Sequence, residues 1–112
     1  MTPSGLPARR SAAYLLDRIL EDGKLMSELV HGGTLERLTP PDRARAQRLA
    51  QDVLRNIERA DRLIANHATR TPPLPILNLL RLGAVEMSQG AAAHGVVNDL
   101  VTLASKVAST RA

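Results

Sequence analysis

Cysteine is absent from the 112 residues, and Tyr14 is the one aromatic side chain. The first absence excludes a disulfide framework and any thiolate metal site. The second leaves few flat platforms on which a single-stranded nucleic acid could stack its bases. His31, His67 and His94 are scattered and form no His-x-x-x-His or similar ligand spacing, so no metal site is expected. No apolar run approaches the ~20 residues that cross a bilayer. Met1 to Arg10 lacks the apolar stretch of a signal peptide, and the expectation is a cytoplasmic chain with no membrane contact. There is no Gly-rich phosphate loop after a strand, and no Ser, His and acid arranged to make a nucleophile. Paired acids such as Glu21-Asp22 fall at a helix end, where solvated surface is the ordinary reading. Nothing in the residues argues for catalysis by this chain.

What is present is aliphatic and basic. Hydrophobic residues make up 44% of the chain and are almost all Leu, Ala, Val and Ile. Leu and Ala favour helix, and strands favour aromatic and β-branched residues, so composition leans all-α. The length gives one domain that buries roughly two-thirds of its unfolded surface, enough for a core without staples. The net charge is +4, and because Lys24 and Lys106 are the only lysines, 13 of the 15 basic residues are arginines. Arginine suits bidentate phosphate contacts and stacking on bases. The same bias also arises in any chain from a GC-rich genome. Total charge does not separate these readings, whereas position does.

Periodicity divides the chain into about six helices. Residues 1–6 read as a flexible Thr/Pro/Ser/Gly tail, and residues 7–112 as the domain. A first helix runs from about Pro7 to Asp22, with Gly23 as its stop signal. Ala8, Ala12, Leu15, Leu16, Ile19 and Leu20 share its apolar face. Lys24 to Val30 reads as a short helix, and Thr34 to Leu38 as a weak turn. Thr39-Pro40-Pro41-Asp42 then opens the longest helix, with Thr39 as its N-cap. Its apolar face is Ala46, Leu49, Ala50, Val53, Leu54 and Ile57. Asp61 falls on that apolar side, so the pattern breaks between Glu58 and Asp61, and a separate helix capped near Asp61 reaches about Thr69. Thr71 to Pro75 is a stiff connector. Pro75 to Ser88 is apolar nearly all round, as befits a central helix, with Gly83 allowing close approach of a neighbour. The last helix, His94 to Ser109, is expected to bury Val96, Val97, Leu100, Val101, Leu103, Ala104 and Val107. Asp99, Thr102 and Lys106 fall on its outward side.

The arginines of the long helix are the candidate site. Arg48, Arg55, Arg59 and Arg62 fall within about 60° of each other on a straight helix, opposite the apolar face, with Arg45 beside them. Arg62 leaves the stripe if the helix breaks. The stripe reads two ways: as a solvated face partly paired to Asp52 and Glu58, or as a track for a phosphate backbone. Arg9 and Arg10, at the start of the first helix, would extend the track. The candidate RNA-binding residues are therefore Arg9, Arg10, Arg45, Arg48, Arg55 and Arg59. With a single aromatic, backbone and shape contacts are expected rather than base readout. Arg81, the single charge in the first three turns of the central helix, reads as a structural polar residue satisfied by an acid or by helix-end carbonyls. Asn98 and Asp99 are grouped with it as structural polar positions.

Leu80-Arg81-Leu82-Gly83-Ala84 is followed, ten residues on, by His94-Gly95-Val96-Val97-Asn98-Asp99-Leu100-Val101 and then Leu103-Ala104-Ser105-Lys106. This pair of segments resembles the LRLGA…HxxVNExVxLAK signature of NusB-like domains. Asp42-Arg43-Ala44, Val53-Leu54-Arg55 and Asp61-Arg62-Leu63-Ile64 resemble the DRA…VLR…LDxLI segment of one group within it. That group is the N-terminal domain of the bacterial ribosomal RNA cytosine-C5 methyltransferases, the Sun or RsmB group. The resemblance spans about residues 7 to 107. Three features depart from it: Ala92-Ala93 stand where the family usually has prolines, Asp99 replaces a more usual Glu, and the family continues into one more helix.

The resemblance implies an all-α, NusB-like bundle without the family's final helix, and a chain that is a piece of a longer methyltransferase. Its role would be to hold ribosomal RNA for a downstream S-adenosylmethionine-dependent catalytic domain. In that group a cysteine attacks the cytosine ring, so a chain without cysteine would not perform the transfer alone. One rival is an antitermination-factor-like module that binds RNA and a ribosomal protein. Another is a domain that only packs on the catalytic domain. The apolar central helix and the wide apolar face of the last helix also lead to an expectation that the chain either self-associates through an uncovered apolar strip or leaves its last turns, from about Ser105, frayed.

Overall fold

The computed structural model describes residues 5–111, and those residues form six helices and no strand. They are α1 (Leu6–Asp22), α2 (Met26–His31), α3 (Pro40–Arg55), α4 (Ile57–Ala65), α5 (Leu74–Ser88) and α6 (Ala93–Arg111). The expected tail falls mostly outside the described residues, and Leu6 already belongs to α1.

The helix ends follow local chemistry. α1 begins with proline in its first turn and stops at Gly23, whose φ of 71° is open to glycine and strained for other residues. The Thr39 side chain accepts from the Asp42 amide at 3.4 Å, capping α3, and Pro40 and Pro41 fill positions whose amides have no helical partner. Pro75 occupies the first turn of α5 for the same reason. α2 starts two residues later than its pattern suggests and leaves Leu25 exposed. The chain over residues 32–38 crosses in turns and inserts Leu35 into the core.

α5 is the hub. It packs against α1, α3, α4 and α6, and α1 lies along α3. Leu15, Leu16, Val53, Leu82 and Val96 are fully buried between these elements. Gly83 matters here, because a β-carbon on it would stand 2.6 Å from Cδ1 of Leu100. The missing side chain lets α5 and α6 approach closely.

Two expectations change. The break in the long helix falls at Asn56, not between Glu58 and Asp61. The amide of Asn56 closes α3 on Asp52 and Val53, and its carbonyl accepts from Ala60 to start α4. Asp61 is therefore inside α4 rather than its cap. It sits on the inward side because it pairs with Arg81 of α5, at 2.7 Å to Nε and 2.9 Å to Nη2. The second change concerns α6. Val96 and Leu103 are buried as expected, but Val97 and Val101 are exposed, because no described element covers that side of the helix.

Candidate nucleic-acid interface

Arg9 and Arg81 are buried in the bundle, whereas most of the other arginines lie outside it. Arg9 projects from α1 between α5 and α6. Its Nε and Nη2 donate to the Glu86 carboxylate at 2.8 and 3.0 Å, and its Nη1 donates to Asp99 at 2.6 Å. The hydrogen-bonded Glu86 carboxylate, reinforced by Asp99, raises the Arg9 pKa above the ordinary arginine value despite the opposing effect of burial. The expectation that Arg9 extends a surface track is overturned. The side chain is 93% buried and already holds two carboxylates, so a phosphate has no route to it.

Arg81 belongs to a second network. Besides Asp61 it donates to Oδ1 of the fully buried Asn78 at 2.9 Å, and Asn78 donates to Asp17 at 2.7 Å. The sequence Asp17–Asn78–Arg81–Asp61 ties α1, α5 and α4 together, and each side-chain nitrogen of Asn78 and Arg81 has a hydrogen-bond partner. Asp99 is buried against Arg9, so its expected outward placement is corrected. Asn98 is exposed, one position round the helix, and does not join the polar core. Glu86 and Asn78 were not singled out from the sequence. Their signal was available: a charged or amide side chain inside an otherwise apolar helix needs a buried partner.

The remaining arginines present a different picture. Arg48, Arg55, Arg59 and Arg62 are exposed along α3 and α4. Arg55 has Asp52 at a loose 3.8 Å, and no carboxylate of the described residues pairs with Arg48, Arg59 or Arg62. The break at Asn56 separates them into two sets, Arg48 and Arg55 on α3 and Arg59 and Arg62 on α4. A single straight stripe is therefore replaced by a surface on two consecutive helices. Arg45 is only partly exposed; its Nη1 lies 3.1 Å from the point where a β-carbon on Gly5 would stand, at the start of α1.

Arg10 is exposed on α1 and faces a second feature. An open groove of about 460 Å³ runs between α1, α5 and α6, bordered by Arg10, Tyr14 and Lys106, with Leu79 and Leu103 in its floor. The Tyr14 ring is half-exposed, and the Arg18 guanidinium lies 5.6 Å from its centroid. Among the described residues no group of His, Asp or Glu could hold a metal ion, and no helix is long and apolar enough to cross a membrane.

An all-helical bundle is the architecture that the sequence resemblance implied, and the all-round apolar pattern of residues 75–88 pointed to its central helix. The NusB family model matches residues 6–112. The chain belongs to the NusB family. NusB domains are RNA-binding helical domains, and the match covers every helix described above. Comparison with curated proteins and with solved structures gave no match. Within this NusB domain Arg9, Asp99 and the Arg81 network tie the helices together, and the exposed arginines of α3 and α4 take no part in those networks.

Proposed function

We propose that this chain is an RNA-binding domain that holds ribosomal RNA by its phosphate backbone. The observation that carries the reading is the contrast in pairing within a NusB domain. The buried arginines each hold a carboxylate in a two-pronged pairing, while Arg10, Arg48, Arg59 and Arg62 project from the surface without one. Exposed guanidiniums gain bidentate bonds from phosphate oxygens at little desolvation cost. The groove beside Arg10 adds one aromatic face, Tyr14, on which a single unpaired base could rest. With no other aromatic in the chain, recognition is by charge and shape, and sequence discrimination by this domain is weak.

The parent activity in this reading is ribosomal RNA cytosine-C5 methylation, with the reactive cysteine and S-adenosylmethionine supplied by another domain. Support comes from Asp42-Arg43-Ala44, Val53-Leu54-Arg55 and Asp61-Arg62-Leu63-Ile64, which resemble the DRA…VLR…LDxLI segment of that methyltransferase group. The coding sequence on the 3′ side of the Ala112 codon tests the parentage. A methyltransferase domain there supports it, and a stop codon removes it.

RNA binding is tested by titrating the chain with a short unpaired ribosomal RNA oligonucleotide at several salt concentrations. If about four phosphates are neutralised, the log–log slope is near −3. Affinity that does not change with salt removes the phosphate-track reading.

A further inference from the structure

The groove between α1, α5 and α6 joins apolar, aromatic and charged groups in a space of about 460 Å³, within the range of about 300–1,000 Å³ that receives a small ligand. Leu79 and Leu103 make its floor apolar, Arg10 and Lys106 bring positive charge from α1 and α6, and Tyr14 and Asp17 line the wall that α1 provides. Arg10, Tyr14 and Asp17 fall at i, i+4 and i+7, so they rise in one row along the same face of that helix. We propose that this row is a site for one unpaired guanine nucleotide, with the base against Tyr14, its Watson–Crick edge on Asp17 and its phosphate at Arg10. The proposal rests on the RNA-binding reading above and names the single position at which the domain reads sequence.

Three observations carry it. The first is that Tyr14 is held before any ligand arrives. The Arg18 guanidinium lies 5.6 Å from the centre of its ring, and Arg18 is itself tied to Asp22 at 2.6 Å and to Glu21 at 3.5 Å. Tyr14 lines the groove and Arg18 does not, so the ring is steadied from outside and remains half-exposed. An aromatic side chain fixed in this way stacks a base with little ordering left to do. The second observation is the aim of Asp17. Its Oδ1 accepts from Nδ2 of the fully buried Asn78 at 2.7 Å, which fixes the carboxylate. An ionised carboxylate has about four lone-pair sites, so it accepts further bonds with that one in place, and it donates none. This decides the base. Guanine presents two neighbouring donors, N1–H and the N2 amino group, on one edge. Adenine and cytosine set an acceptor nitrogen beside their amino group, and uracil flanks its one donor with two carbonyl oxygens. Each of these three brings an acceptor against the carboxylate. The third observation is the order of charge along the row. Arg10 attracts a phosphate at one end and Asp17 repels it at the other, so a nucleotide lies in one direction, with its base edge toward Asp17.

Tyr14 is the only aromatic residue of the chain, so its intrinsic fluorescence reports on this groove alone. The test titrates the whole chain with a uridine hexanucleotide and with the same hexanucleotide carrying one guanosine or one adenosine, at several salt concentrations. The guanosine oligonucleotide is expected to quench Tyr14 and to bind about tenfold more tightly than the other two. Tyr14→Leu, followed with end-labelled oligonucleotides, should weaken the guanosine complex about tenfold and leave the salt slope, which is set by phosphate contacts, unchanged. Asp17→Asn keeps an oxygen for Asn78 but adds a donor, and should bring the guanosine and adenosine oligonucleotides to equal affinity. Circular dichroism verifies that both variants keep their helices, and the unaltered chain decides the matter if Asp17→Asn does not. Salt-dependent binding with no change in Tyr14 emission overturns this proposal and leaves the RNA-binding reading standing. Equal affinity of the unaltered chain for the three oligonucleotides overturns it as well, because Asp17 then reads nothing. Absence of binding even at low salt overturns both readings.

Discussion

The interior and the surface of this bundle use the same residue in opposite ways. Inside, Arg9 and Arg81 are held in forks of carboxylate and amide oxygens and join helices that are distant in sequence. Outside, Arg48, Arg55, Arg59 and Arg62 stand on α3 and α4 with one loose contact, Arg55 to Asp52. The difference is set by partner geometry. A guanidinium within the bundle must satisfy its donors there, because an unpaired buried charge costs several kcal/mol. On the surface water does that work, and pairing adds little. The interior arginines are therefore expected to control stability, and the surface arginines to control ligand affinity.

The largest effect should come from breaking the interior group. Arg9→Met removes the cation shared by Glu86 and Asp99 and leaves two carboxylates buried without their partner. A loss of about 3–5 kcal/mol is expected, read from the midpoint of urea denaturation. Arg9→Met that unfolds at the same urea concentration as the unaltered chain would place Arg9 back on the surface. Arg81→Met should cost less, about 2 kcal/mol, because the Asp61 side chain is 43% exposed and water can replace part of the lost bond. If the two losses are equal, exposure of the partner does not matter and the comparison fails at that point.

How much of this was legible in the sequence depends on whether the cause was local. The caps at Thr39 and Gly23, the prolines opening α3 and α5, and the helical period of α1 all act within a few residues and were readable. Gly83 was recognisable as a point of close approach. What pairs with what was not readable. Arg9 sits among Ala8, Ala12 and Ala13 at the start of α1, and only the arrival of α5 and α6 in space brings Glu86 and Asp99 to it. Asp61 illustrates the same limit. Its place on the apolar side of a helix fits a cap or a buried ion pair equally well, and Arg81, twenty residues on, decides between them. The exposure of Val97 and Val101 was misread because periodicity reports which residues are apolar, not whether another element arrives to cover them. The break at Asn56 has a weak signal, since asparagine at a helix end is common and Ile57 continues the apolar period.

The surface group gives smaller changes in stability and a distinct change in binding. Replacing Arg48, Arg55 and Arg59 together by alanine should alter unfolding free energy by no more than about 0.5 kcal/mol per site. The same variant should bind a single-stranded RNA oligonucleotide with a salt slope shallower by about 2, because three phosphate contacts are lost. An unchanged slope in a folded variant would show that these arginines are an ordinary solvated face.

The smallest effect sharpens the electrostatic side of the comparison. Asp52 lies on α3 within the arginine surface, 3.8 Å from Arg55, and accepts a 3.3 Å bond from Gln89. Asp52→Asn keeps an oxygen to accept from Gln89 and removes only the negative charge. Stability should therefore change by less than about 0.5 kcal/mol. RNA affinity at low salt should rise a few-fold, because a carboxylate at this range repels an arriving phosphate and competes for Arg55, an interaction on the order of 1 kcal/mol in water. The gain should fade above about 0.3 M salt as the screening length shrinks toward the spacing of the groups. A gain that is independent of salt would point to a lost steric clash rather than a lost charge. No gain at any salt would mean that the RNA does not pass over Arg55, and the binding surface would then have to be sought at Arg10 and the Tyr14 groove instead.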